Sequence, residues 1–171
     1  FAAVEQEELH RLVRRYTERY VEQELHNFQN RNARFRYLFA RLRTTAYAVI
    51  DQVAAELRCS DFVPMAFELS FGGKNGALSA VTISEPDGEL RVGGKVDRVD
   101  GWLHDGRLYL RVVDYKSGRK SFDLANVRMG LDIQMLLYLF TLQKEGTRYF
   151  GQEIEPAGVL YLPARDEILS L

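Results

Sequence analysis

The sequence predicts an α/β fold, a mixed β-sheet flanked by helices and preceded by an N-terminal helical pair. Three features predict it. Apolar residues recur at helical spacing through residues 2–58. Short alternating or β-branched runs occupy residues 65–115. A second helical run then leads into a last apolar strand near residue 160. With 171 residues, 46% apolar and 27% charged, the chain suits one domain with a core, or one domain plus an appendage. The expected division is a helical segment over residues 1–63, packed on a core over residues 64–171.

Taken in order, residues 2–27 present Leu9, Leu12, Val13, Tyr16 and Tyr20 as one apolar stripe. The polar stretch from Asn27 to Asn32 ends that helix. Residues 33–58 carry Phe35, Leu38, Phe39, Leu42, Ala46, Val49, Ile50, Val53 and Leu57 with no Gly or Pro between them, a second helix. Pro64 disfavours helix at Val63. From Met65 to Phe71 the chain alternates, with Phe67, Leu69 and Phe71 expected on one face and Ala66, Glu68 and Ser70 on the other. Leu78–Ile83 reads as a short strand, and Glu85-Pro86-Asp87-Gly88 as a turn. Leu90–Asp100 and Arg107–Tyr115 read as two further strands joined at His104-Asp105-Gly106. Asp123 is a plausible cap for a helix from about Leu124 to Lys144, closed by Gly146. Val159-Leu160-Tyr161-Leu162 suits a final buried strand.

Composition excludes several classes. A formal net charge of −1 gives no general support for nucleic-acid binding, so any basic surface must be local. The single cysteine, Cys59, rules out an internal disulfide framework and fits a reducing, cytoplasmic setting. It is expected to be a buried or partly buried thiol. No run is long and apolar enough to span a membrane. The start, Phe1-Ala2-Ala3-Val4-Glu5, has no signal-peptide layout and no initiator Met, so the sequence reads as a piece of a longer protein.

The candidate chemistry lies between Gly94 and Tyr138. On a strand, residues two apart share a face, so Asp114 and Lys116 point the same way, about 7 Å apart along the backbone. An antiparallel hairpin brings Asp97 towards them. Neighbouring carboxylates repel, so such a site favours a hard divalent cation with oxygen ligands, as Mg²⁺ prefers. The plainer alternatives are a solvated strand end at Asp97 and a surface ion pair between Asp114 and Lys116, worth only ~0–1 kcal/mol. Asp100 is expected at a solvated strand end before a turn at Gly101. Gln134 and Tyr138, one helical turn apart, share a face of an apolar helix and need partners there.

Asp97, then Asp114-x-Lys116, then Gln134-x-x-x-Tyr138 resembles the PD-(D/E)xK nuclease superfamily, and within it the RecB-like nuclease domains. The wording Gly94-Lys95-Val96-Asp97-Arg98-Val99-Asp100, with Asp114-Tyr115-Lys116-Ser117 and Gln134-Met135-Leu136-Leu137-Tyr138, is similar to the AddB-type domains of bacterial helicase/deoxyribonucleases. The resemblance covers most of the chain and implies a restriction-endonuclease-like sheet. It implies Asp97, Asp114 and Lys116 as catalytic residues, with Asp97, Asp114 and the Tyr115 carbonyl holding Mg²⁺ (or Mn²⁺) and Glu68 as a further, outer ligand. It places Gln134 and Tyr138 against DNA. Arg119 and Lys120 follow as phosphate contacts or as an ordinary solvated loop. Arg31, Arg34, Arg36, Arg41 and Arg43, with Phe35 and Tyr37 among them, form a backbone-binding patch or a solvated helix face.

The family's upstream histidine ligand is not matched in context by His10 or His26 and is expected to precede Phe1. Its iron–sulfur cluster is not expected here, since Cys59 has no companion. The implied parent is a bacterial helicase–nuclease that, with a partner subunit, processes double-strand DNA ends for recombinational repair. It would feed a single strand to this domain. No Gly-x-x-x-x-Gly-Lys-Ser/Thr loop occurs, so ATP dependence would belong to the parent. The competing expectation is a catalytically inactive DNA-holding or structural module.

Overall fold

The computed structural model describes residues 4–25, 32–72, 76–116, 118, 123–129 and 133–164. They form two compact units, one of residues 1–60 with 163–171, the other Asp61–Leu162.

In the first unit, α1 (Gln6–Gln23) and α2 (Ala33–Arg58) make an antiparallel hairpin. Arg58 donates to the Val4 carbonyl at 2.6 Å, and His10 meets Asp51 at 2.8 Å. Asn32 caps α2 by accepting from the Phe35 N–H at 2.8 Å. The expected stripe on α1 is buried only at Leu9, while Tyr16 and Tyr20 are exposed. The expected extension of α1 to residue 27 stops at Gln23; residues 26–31 lie outside the described chain.

The second unit is a four-stranded mixed sheet in the order β1-β4-β5-β6 and a two-stranded ribbon, β2-β3. The strands are β1 (Val63–Phe71), β2 (Val81–Glu85), β3 (Gly88–Val92), β4 (Gly94–His104), β5 (Arg107–Lys116) and β6 (Ile154–Pro163). β1, β4 and β5 pair antiparallel. β6 starts beside the start of β5, since Leu108 N–H donates to the Glu153 carbonyl at 2.9 Å and Arg107 meets Glu155 at 2.7 Å. The two therefore run parallel. β6 is an edge strand, which is where Pro156 and Pro163 are tolerated.

Three expectations are corrected. The strand expected over residues 90–100 is two strands, because the chain leaves the ribbon at Gly93 and enters the sheet at Gly94. At that crossing a Cβ on Gly72 (φ +72°) would stand 2.9 Å from the Gly93 Cα, so the backbones pass closer than side chains allow. The long helix expected over 124–144 is α3 (Leu124–Arg128), capped by Asp123, then α4 (Gln134–Glu145), followed by α5 (Thr147–Phe150). The hairpin turn is at Asp105-Gly106, both with positive φ as a tight I′ turn requires, so Gly101 lies inside β4 rather than at a turn.

The alternation of β1 also differs. Ala66, Leu69 and Phe71 are buried, whereas Phe67 and Glu68 are both exposed. The ladder shifts register between Pro64 and Ala66, and Glu68 has φ +52°, so the strand is not regular enough to keep a period of two. The core gathers Leu69, Phe71, Val99, Leu110 and Val112 from the sheet against Met135, Tyr138, Leu139 and Leu142 of α4.

Candidate active site

The β4–β5 ladder sets the site. Its pairs run from His104↔Arg107 to Arg98↔Val113. One step further, Asp97 and Asp114 stand on adjacent strands, and the Asp97 carboxylate accepts the Tyr115 N–H at 3.0 Å. Lys116 Nζ lies 2.6 Å from Asp114 Oδ2 and 5.9 Å from the centre of the Tyr161 ring on β6. The structure thus brings Asp97, Asp114 and Lys116 together. Asp114 is largely buried, its side chain 17% exposed. Its Oδ2 is balanced by the Lys116 ammonium, the ion pair just described. A largely buried carboxylate is costly unless cationic groups compensate it, and Lys116 supplies one such charge.

Glu68 falls opposite Asp97, between the pairs Phe67↔Arg98 and Leu69↔Val96. Its carboxylate turns to Lys95 in an exposed ion pair. The Glu68 hydrogen bond and charge, with a smaller contribution from Asp97, hold the Lys95 ammonium above its ordinary pKa. Among the described residues no three His, Cys, Asp or Glu side chains form a metal-holding group. The arrangement is therefore two aspartates and a lysine, with Glu68 engaged by a second lysine. Lys95 escaped the sequence reading, although it lies two residues before Asp97 on a strand, which is the spacing that shares a face.

Gln134 and Tyr138 partner each other, the amide donating to the phenol oxygen at 2.5 Å. Tyr138 is buried, meets Phe71 edge to face with ring centres 4.8 Å apart, and covers Gly94. A Cβ at Gly94 would lie 2.5 Å from the Tyr138 hydroxyl and 2.8 Å from its ring. The helix pair is thereby seated on the strand residue three before Asp97. Arg119 and Lys120 lie outside the described residues, as do His26 and Arg31. Within the arginine-rich stretch of α2, Arg41 lies 6.0 Å from the Tyr37 ring centre.

Asp100 is not a solvated strand end. It is fully buried, and the Arg98 guanidinium meets both its oxygens at 2.8 and 2.9 Å. Arg111 reaches it at 2.9 and 3.0 Å. Arg98 also donates to the Tyr115 hydroxyl at 2.8 Å. Burial works against the Arg98 charge, but Asp100 and Tyr115 outweigh it and raise its pKa. Two arginines inside apolar strands were the available signal; their partner could not be read before the register was known. Cys59, expected buried or partly buried, is exposed where α2 ends.

Two carboxylates on adjacent strands, one of them largely buried, are hard oxygen donors that fit a divalent cation. Comparison with known proteins agrees with this chemistry. The profile of the PD-(D/E)XK nuclease superfamily matches residues 2–170. The chain is similar to an ATP-dependent helicase/deoxyribonuclease subunit of Acetivibrio thermocellus, 37% identical over 137 residues, and to that of Lysinibacillus sphaericus, 34% identical over 167. These stretches are 80% and 96% of this chain but 12% and 14% of the relatives. A third relative of the same description, from Symbiobacterium thermophilum, is 37% identical over 135 residues, or 78% of this chain and 12% of that protein. On the match along nearly all its length, the chain belongs to the PD-(D/E)XK nuclease superfamily.

Proposed function

We propose that this chain is a divalent-metal-dependent deoxyribonuclease domain that hydrolyses phosphodiester bonds. The observation carrying the reading is the meeting of Asp97 with the Asp114–Lys116 pair where β4 begins and β5 ends. Asp97, Asp114 and the Tyr115 carbonyl would hold Mg²⁺ or Mn²⁺, with Glu68 entering only by leaving Lys95. The cation would supply the charge that makes a water nucleophilic at neutral pH and offsets the anionic phosphate. Lys116, beside Asp114 and the Tyr161 ring, would orient that water and stabilise charge developing on the phosphate. Gln134, Tyr138, Arg119 and Lys120 are assigned to DNA.

The relatives' name supports a role as the nuclease part of a helicase–deoxyribonuclease. In that role the domain would trim single strands from broken double-stranded ends, beside a partner subunit, in the cytoplasm. No helix among the described residues is long and apolar enough to cross a membrane. The second reading, a DNA-holding module without catalysis, is favoured by the absence of a three-acid group among the described residues.

Titration of Mg²⁺ or Mn²⁺ against cleavage of a labelled single-stranded oligonucleotide separates the two. Cleavage should appear with metal and fall on the order of 10²–10³-fold or more in Asp114→Ala and Lys116→Ala. Binding without cutting, unchanged by either substitution, would establish the holding module.

A further inference from the structure

Tyr115 sits between Asp114 and Lys116, so its side chain projects to the opposite face of the sheet. Arg98 follows Asp97 and does the same. On that face the two side chains meet: the guanidinium donates to the phenol at 2.8 Å and lies 5.7 Å from the ring centre. Arg98 is 1% exposed and Asp100, which grips it, is 0% exposed. Arg111 grips Asp100 in turn and lies 4.6 Å from the Phe62 ring centre. Burying two arginines around one aspartate is a poor way to stabilise a sheet, because apolar residues of similar volume generally do as well or better. What such a network supplies is fixed geometry. This one ends on the two residues whose immediate neighbours form the site.

We propose that Arg98 and the Tyr115 side chain are positioning residues for the nuclease site, a clamp behind the sheet that sets how Asp97, Asp114 and Lys116 face one another. The inference rests on the nuclease reading for its purpose, but its geometry stands alone. The Tyr115 amide donates to Asp97, and its flanking residues carry the carboxylate and ammonium. A shift of this one backbone unit therefore moves all three groups.

The test compares the wild-type chain with Tyr115→Phe, which removes one hydroxyl, and Arg98→Lys, which keeps the charge but loses the planar fork. Amide hydrogen exchange is read by NMR at positions 112, 113 and 115. Steady-state cleavage of a single-stranded oligonucleotide with Mn²⁺ is read as kcat and KM. In both variants the amide at 115 should exchange roughly tenfold faster or more, with 112 and 113 unchanged. The kcat should fall about ten- to a hundredfold at unchanged KM, as expected for misplaced groups rather than lost binding. Unchanged exchange at 115, or faster exchange spread evenly over all three amides, overturns the clamp. A wild-type chain that cuts nothing, while Tyr115→Phe still loosens the 115 amide alone, sinks the nuclease reading and leaves the clamp standing.

Discussion

At Gly94 the space for a side chain is already taken by Tyr138, whose hydroxyl and ring would lie 2.5–2.9 Å from a Cβ there. Gly94→Ala should therefore cost about 1–3 kcal/mol, the usual range for forcing an extra carbon into a packed site. The same substitution in a Tyr138→Leu background should cost less, because the clashing ring is gone. Urea denaturation of the two single variants and the double variant measures the coupling; strict additivity would show that the two residues do not oppose each other. The meeting of Asp114 with Lys116 was legible from residue types at fixed spacing, since the two must share a face of any strand. Gly94 was legible only as part of a familiar wording. The reason for it, a tyrosine from a helix forty-four positions later, needed the fold. Asp100 misled because an acid near a glycine reads as a turn. Its partners, Arg98 and Arg111, are set by ladder register, which side-chain type does not encode.

Among the elements, β1 shows most clearly what alternation can and cannot reveal. Its presence was readable from residues 65–71, but the face of Phe67 was not. The ladder with β4 shifts register between Pro64 and Ala66, and Glu68 occupies the left-handed region at φ +52°; neither irregularity leaves a trace in the order of apolar and polar residues. The sequence pattern likewise ran together two strands at Gly93-Gly94 and two helices between Leu124 and Glu145, because local propensity continues where the path of the chain turns. A left-handed backbone costs a residue bearing a Cβ about 1–2 kcal/mol relative to its right-handed form, a penalty glycine escapes. Glu68→Gly should accordingly be about 1 kcal/mol more stable than Glu68→Ala, both having lost the Lys95 pair equally. Thermal or urea unfolding of the two variants decides it. Equal stabilities would mean that the backbone at this position relaxes out of the left-handed region in solution.

For the molecule as a whole, 23 basic side chains against 24 acidic ones leave no general attraction to a polyanion. Affinity for DNA has to come from where the charges sit. Where β4 begins and β5 ends, Asp97 and Asp114 face Lys116, with Lys95 engaged by Glu68, so without a divalent ion acids outnumber lysines there and a phosphate is on balance repelled. Removing one carboxylate shifts that balance. A single charge at ~4–6 Å from a phosphate in a partly solvated site is worth on the order of 1 kcal/mol or somewhat more. Asp114→Asn should therefore bind a single-stranded oligonucleotide roughly five- to tenfold more tightly than wild type in EDTA at low salt, a gain that shrinks as salt rises. Adding Mg²⁺ should reverse the order, since the wild-type site gains a cation and the variant holds it poorly. Fluorescence anisotropy with and without metal measures both arms. If the substitution leaves metal-free affinity unchanged, the DNA phosphates do not approach this site, and the aspartates and the nucleic acid belong to different surfaces of the protein.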